Sequence, residues 1–130
     1  MCGIVALFGE EVDVSSYLLS HRGPDDYRSM TLGKCRMDFY RLAINDLTDA
    51  GMQPFSNGKE MLICNGEIYN HREFRKGDEM STSDCEVLLP LIKDYGMMKT
   101  LELINGDFAF VYTNGKRVMA ARDPVGVRPL

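Results

Sequence analysis

Short apolar runs, each ended by glycine, proline or asparagine, set the pattern of this chain and predict strands at both ends with helices between them. Gly3 to Phe8 reads as the first strand, stopped by Gly9. A helix-like segment follows around Val14 to Leu19, with Ser15 or Ser16 placed to cap it. His21-Arg22-Gly23-Pro24-Asp25 demands a loop, because glycine and proline together interrupt helix and strand alike. The next strand is predicted from Cys35 to Ile44, then a loop from Gly51 to Gly58 that holds Pro54 and Asn57-Gly58. Met61 to Cys64 reads as a strand running straight into Asn65-Gly66-Glu67.

The clearest helical signal spans Ser83 to Tyr95. Val87, Leu88, Leu91 and Ile92 recur at helical spacing, Ser81 or Ser83 sits where a cap belongs, and Gly96 stops the run. Asp84 and Glu86 in the first turn suit the positive end of the helix dipole. Pro90 predicts a kink, or a division into two pieces. Met98 to Ile104 gives another short helix. Asp107 to Thr113 and Lys116 to Ala121 flank Asn114-Gly115, the pairing expected of a type I′ hairpin. Helices grouped between strands imply an α+β domain.

Composition narrows this picture. At 130 residues the chain is one domain, and 45% apolar with 26% charged residues is ordinary for a soluble globular protein. A net charge of −4 speaks against a general nucleic-acid partner, which would need a basic face for phosphates. Charged residues interrupt every apolar run before membrane-spanning length, and the start lacks a basic leader, so a cytoplasmic location is expected. Cys2, Cys35, Cys64 and Cys85 show no C-x-x-C spacing, which implies reduced thiols and no metal site. Cys35 and Cys64 read as buried packing residues.

Cys2 carries the chemistry. If Met1 is removed, a thiol and a free α-amino group share one Cα. An ordinary thiol, with a pKa of roughly 8.5, is mostly protonated at neutral pH, and an amine of about 7.7–8.0 is a base that can take its proton. The same residue also suits the start of an apolar strand, and the N-terminal residues alone do not separate the two readings.

Further segments do. Met1-Cys2-Gly3-Ile4, His21-Arg22-Gly23-Pro24-Asp25, Arg41-Leu42-Ala43-Ile44-Asn45-Asp46 and Gln53-Pro54 are followed by Asn65-Gly66-Glu67-Ile68-Tyr69-Asn70 and Ser83-Asp84-Cys85-Glu86. Gly106-Asp107-Phe108-Ala109-Phe110 and Arg122-Asp123-Pro124-Val125-Gly126-Val127-Arg128-Pro129-Leu130 complete the set. In this order and over almost the whole chain, they resemble the glutaminase domain of class II glutamine amidotransferases, the N-terminal-nucleophile hydrolases. The wording is most similar to asparagine synthetases, and the final segment also to amidophosphoribosyltransferases.

That resemblance implies a four-layer α/β/β/α sandwich of two antiparallel sheets, and hydrolysis of L-glutamine to glutamate and ammonia through a Cys2 thioester. It implies an oxyanion hole from the Asn65 side chain and the Gly66 N–H, a carboxylate clamp from Arg41 and an ammonium acceptor in Asp84. Glu67 and the main chain of Leu42, Ala43, Ile44 and Asn45 would complete the lining. Each residue has a plainer reading: Asn65-Gly66 as a hairpin turn, Arg41 as a surface charge, Asp84 as a helix-start acid. His21 is expected to shape its loop, His71 to lie at the surface, and Arg122 and Asp123 to pair with each other.

Two departures stand out. Ala43 and Asn45 occupy positions where asparagine synthetases usually carry a hydroxyl and a β-branched residue. The family's domains also run past Leu130 and continue into a domain that consumes the ammonia. The expectation is therefore a sandwich incomplete at its C-terminus, without cofactor of its own, ATP and Mg²⁺ belonging to a separate synthetase domain or subunit. The alternatives are a catalytically weak glutamine-binding or regulatory module, or the glutaminase part of another amidotransferase, similar to the amidophosphoribosyltransferases.

Overall fold

The computed structural model describes residues 1–9 and 19–130. The helix predicted around Val14 to Leu19 falls, apart from Leu19 itself, outside the described residues.

Two antiparallel sheets form the frame. The first has the order β1-β3-β2, from β1 (Gly3–Phe8), β2 (Asp26–Leu32) and β3 (Cys35–Arg41). The second has the order β4-β5-β6-β7, from β4 (Phe55–Ser56), β5 (Met61–Ile68), β6 (Gly106–Thr113) and β7 (Val118–Arg122). Strand alternation sorts their side chains into two cores. Met61, Ile63 and Val111 point at Met37, Phe39 and Cys35 of the facing sheet, joined by Ile4 and Ala6. Leu62, Cys64, Phe108, Phe110 and Tyr112 point the other way, onto α1 (Leu88–Tyr95) and α2 (Met97–Leu103). Sheet on sheet with helices outside the second sheet is the α+β sandwich expected.

Several boundaries differ from the sequence reading. β2 was not anticipated, because an edge strand beginning Asp26, Tyr27, Arg28 turns only Met30 and Leu32 onto the core. β3 ends at Arg41 rather than Ile44, which releases the main chain from Leu42 onward. β5 does not stop at Cys64 but continues to Ile68, pairing Asn65 with Ala109 and Gly66 with Phe108. The hairpin reading of Asn65-Gly66 is thereby overturned. The region from Gly51 to Gly58, expected as loop, contains the two-residue strand β4.

The long predicted helix divides before Pro90, not at it. A 3-10 turn, Asp84–Val87, precedes α1, and Pro90 lies in the first turn of α1, where its missing N–H costs no internal bond. Ser83 makes no side-chain cap; Glu86 instead reaches back to the N–H groups of Met80 and Ser81, both at 2.9 Å. The β6–β7 turn centres on Gly115-Lys116, with Gly115 at φ +82° and Asn114 donating its N–H to the Arg117 carbonyl. A type I′ turn at Asn114-Gly115 needs a positive φ at both residues, and among the described residues only glycines have one, so the type I′ expectation is corrected. Arg122 and Asp123 do not pair. Arg122 donates to the carbonyls of Gly126 and Arg128, while Asp123 accepts from the N–H groups of Phe108, Val127 and Arg128. Among the described residues, no helix is long and apolar enough to cross a membrane.

Candidate active site

β1 opens at Gly3, opposite Tyr40 of β3, so Cys2 projects from the end of the ladder where β3 gives out. Its Sγ accepts the Leu42 N–H at 3.3 Å and lies 3.5 Å from the Leu42 carbonyl, half-buried in a cleft. Burial pushes the thiol pKa up; the Leu42 N–H, the chain's amino terminus and Arg41 pull it down, and burial wins. With Met1 in place the sulfur is thus a resting thiol. Met1 lines the cleft, and its sulfur meets the guanidinium of Arg128.

The cleft has a volume of about 120 Å³. All ten residues singled out from the sequence line it: Cys2, Arg41, Leu42, Ala43, Ile44, Asn45, Asn65, Gly66, Glu67 and Asp84. Cys2 and Asn65 also border a larger, more apolar cavity of about 440 Å³ between the sheets, with Ile4, Ala6, Leu19 and Val111.

β5 supplies two hydrogen-bond donors through its pleat. Asn65 lies on the face shared with Met61 and Ile63, the Cys2 side, and no described residue bonds its carboxamide. Gly66 pairs with Phe108, whose N–H and carbonyl are turned toward Asp123 and away from β5. This is a non-hydrogen-bonded pair, so the Gly66 N–H points off the opposite edge of β5. Along that edge Cys64 bonds the Gln53 carboxamide at both its N–H and carbonyl, and Ile68 donates to Asp84. Gly66 between them keeps its N–H toward the cleft. Glycine is required there, since a Cβ would lie 2.2 Å from the Asp107 carbonyl oxygen.

The charged groups come from loops. Arg41 is buried, not a surface charge, and its guanidinium donates to the carbonyls of Thr48, at 2.8 Å, and Asp46. Asp84 is buried at the start of the 3-10 turn, accepting from Ile68 N–H at 2.6 Å and from the Asn45 carboxamide at 3.0 Å. Ala43 donates its N–H to Asp25 at 2.8 Å, which anchors the released main chain to the loop after His21. Gly23 lets that loop cross β3, where a Cβ would sit 2.0 Å from the Tyr40 carbonyl oxygen. His21 itself is exposed and does not line the cleft.

Asp46, Gln53 and Arg128 carry weight that the sequence reading did not assign. Asp46 accepts from the N–H and hydroxyl of Thr48, at 2.7 and 2.6 Å, and of Thr82, at 2.7 and 3.0 Å. It ties the loop after Arg41 to the loop before Asp84. The Thr48 hydroxyl, followed by the Thr82 and Thr48 N–H groups, holds its carboxyl well below the usual range. A folded-state pKa depressed below the unfolded value of about 3.9 gives stability that is present above pH 4 and lost as pH falls below it. Asp46→Asn should therefore destabilise the fold by about 2 kcal/mol at neutral pH and flatten the acid limb of stability. Urea midpoints between pH 7 and pH 2 check both.

Among the described residues, two hydrogen-bond donors without partners, a thiol and opposite charges thus line one cleft of a two-sheet sandwich. The whole chain, residues 1–130, matches the glutamine amidotransferase domain, and the protein belongs to that family. It is 39% identical over 148 positions to a probable asparagine synthetase [glutamine-hydrolyzing] of Acanthamoeba polyphaga mimivirus, covering 100% of this chain and 27% of that protein. Asparagine synthetases [glutamine-hydrolyzing] of Rattus norvegicus and Homo sapiens are each 40% identical over 146 positions, covering 100% of this chain and 26% of theirs. The chain thus spans about a quarter of the length of these relatives.

Proposed function

We propose that this domain hydrolyses L-glutamine to glutamate and ammonia and that the nitrogen serves asparagine synthesis in the cytoplasm. The observation that carries the reading is the Cys2 sulfur held against Leu42 in the same cleft as the Asn65 carboxamide and the Gly66 N–H, which no described residue bonds.

Once Met1 is removed, the Cys2 amine takes the thiol proton as sulfur attacks the side-chain carbonyl carbon of glutamine. The carbonyl oxygen becomes an oxyanion, and Asn65 and Gly66 donate to it. The amine returns its proton to the departing nitrogen, the C–N bond breaks, and ammonia leaves a thioester on Cys2. Water adds to the thioester, its proton passing to the sulfur, and glutamate departs. Arg41 binds the α-carboxylate and Asp84 the α-ammonium, which fixes the side-chain amide at Cys2. ATP and Mg²⁺ act in a separate synthetase domain, not in this cleft.

Mass spectrometry tests the covalent step. A glutamine-like electrophile should add once, at Cys2, and excess L-glutamine should protect that site. Labelling at Cys64 or Cys85 instead, or no labelling together with no ammonia release from Met1-free protein, removes the hydrolase reading.

A further inference from the structure

The loop after Arg41 brings one side chain to the cleft that the reaction above does not use. Asn45 lies exposed on that loop, and its Nδ2 donates to Asp84 Oδ1 at 3.0 Å. Because a carboxylate only accepts, this contact orients the carboxamide and leaves its Oδ1 as a second acceptor beside the Asp84 carboxylate. Asp84 Oδ2 is engaged by the Ile68 N–H, which confines its open acceptor capacity to the Asn45 side. Asp46 fastens the loops that carry the two residues to each other through Thr82, so the pair is held across the cleft edge.

We infer that Asn45 and Asp84 together form the ammonium end of the substrate site, with Asn45 selecting ligands that carry an α-amino group. This rests on the glutamine reading above. An ammonium has three donors, and a lone carboxylate oxygen satisfies them poorly; the Asn45 carbonyl supplies an additional acceptor at the same point. The carboxamide also adds no charge, so Arg41 stays the partner of the α-carboxylate.

The test compares L-glutamine with 4-carbamoylbutanoate, the same amide without the amine, in the wild type and in Asn45→Leu, which keeps the side-chain size. Loss of a hydrogen bond to a charged group should raise KM for glutamine about tenfold or more, with the effect on KM rather than kcat. KM for 4-carbamoylbutanoate should stay the same in both proteins. Equal rises for both ligands, or none for glutamine, overturn the inference. Thermal stabilisation of Cys2→Ala protein by glutamine reads binding without turnover. Absence of any shift there removes the glutamine reading and this inference with it. A shift that Asn45→Leu in the same background leaves unchanged removes only the inference.

Discussion

Protein that begins at Cys2 should release ammonia from glutamine about 10²- to 10⁴-fold faster than the same chain with Met1 retained. The peptide bond to Met1 converts the amine of Cys2 into an amide, which has no basic lone pair to take the thiol proton. Burial already disfavours the thiolate at Cys2, and with Met1 retained only the Leu42 N–H, the more distant amino terminus and Arg41 oppose it. Met1 also lines the cleft and touches Arg128, so its removal clears space as well as freeing the base. Two fusions, cleaved to leave either Cys2 or Met1 first, allow the comparison in otherwise identical protein. The Cys2-first form should gain rate as pH rises through the amine pKa of about 7.7–8.0, and the Met1 form should lack that rise. Equal rates from the two forms would show that the sulfur uses some other base.

What the chain declared in advance and what it hid divide along physical lines. Core strands were legible, because Gly3 to Phe8 and Met61 to Cys64 are short unbroken apolar runs, and Met61 to Cys64 is buried on both faces between two cores. The edge strand β2 was not, since its first residues are polar and its pairing with β3 is decided by main chain, not by side-chain period. The length of β5 was hidden for a similar reason: Asn65-Gly66 carries the local signal of a turn, and only its register against Ala109 and Phe108 makes it strand. That misreading left the location of Asn65 and Gly66 intact but missed why their donors are free.

The ten lining residues came from motif resemblance, which orders chemistry along a chain but says nothing of contacts across it. Asp46 bonding Thr82 and Arg128 meeting Met1 join residues 36 and 127 positions apart. No spacing rule reaches that far. Asn45 illustrates the limit most directly. The sequence placed its main chain in the lining, whereas the structure engages its side chain with Asp84, 39 positions away.

Asn65→Ala should lower kcat for glutamine hydrolysis by about 10²- to 10³-fold and leave the fold intact, the two parts of the result being separable because of where the side chain points. An oxyanion hole works through donors kept ready for charge that appears only as the tetrahedral intermediate forms. Asn65 meets that condition: it is buried on the Cys2 face of β5, and its carboxamide is bonded by no described residue. Truncation therefore breaks no hydrogen bond to a described residue, and the urea midpoint should move little while kcat falls. Gly66 behaves in the opposite way. Its donor is main chain and survives substitution, but a Cβ would lie 2.2 Å from the Asp107 carbonyl oxygen and 2.5 Å from the Phe108 Cα. Gly66→Ala must spread β5 from β6, so activity and stability should fall together. If Asn65→Ala instead unfolds the domain in proportion to its lost activity, the carboxamide is a packing group and the oxyanion must be held elsewhere. A kcat loss at constant stability for Asn65 marks a side chain that acts on the developing charge, whereas the coupled loss for Gly66 follows from the Cβ clash with β6.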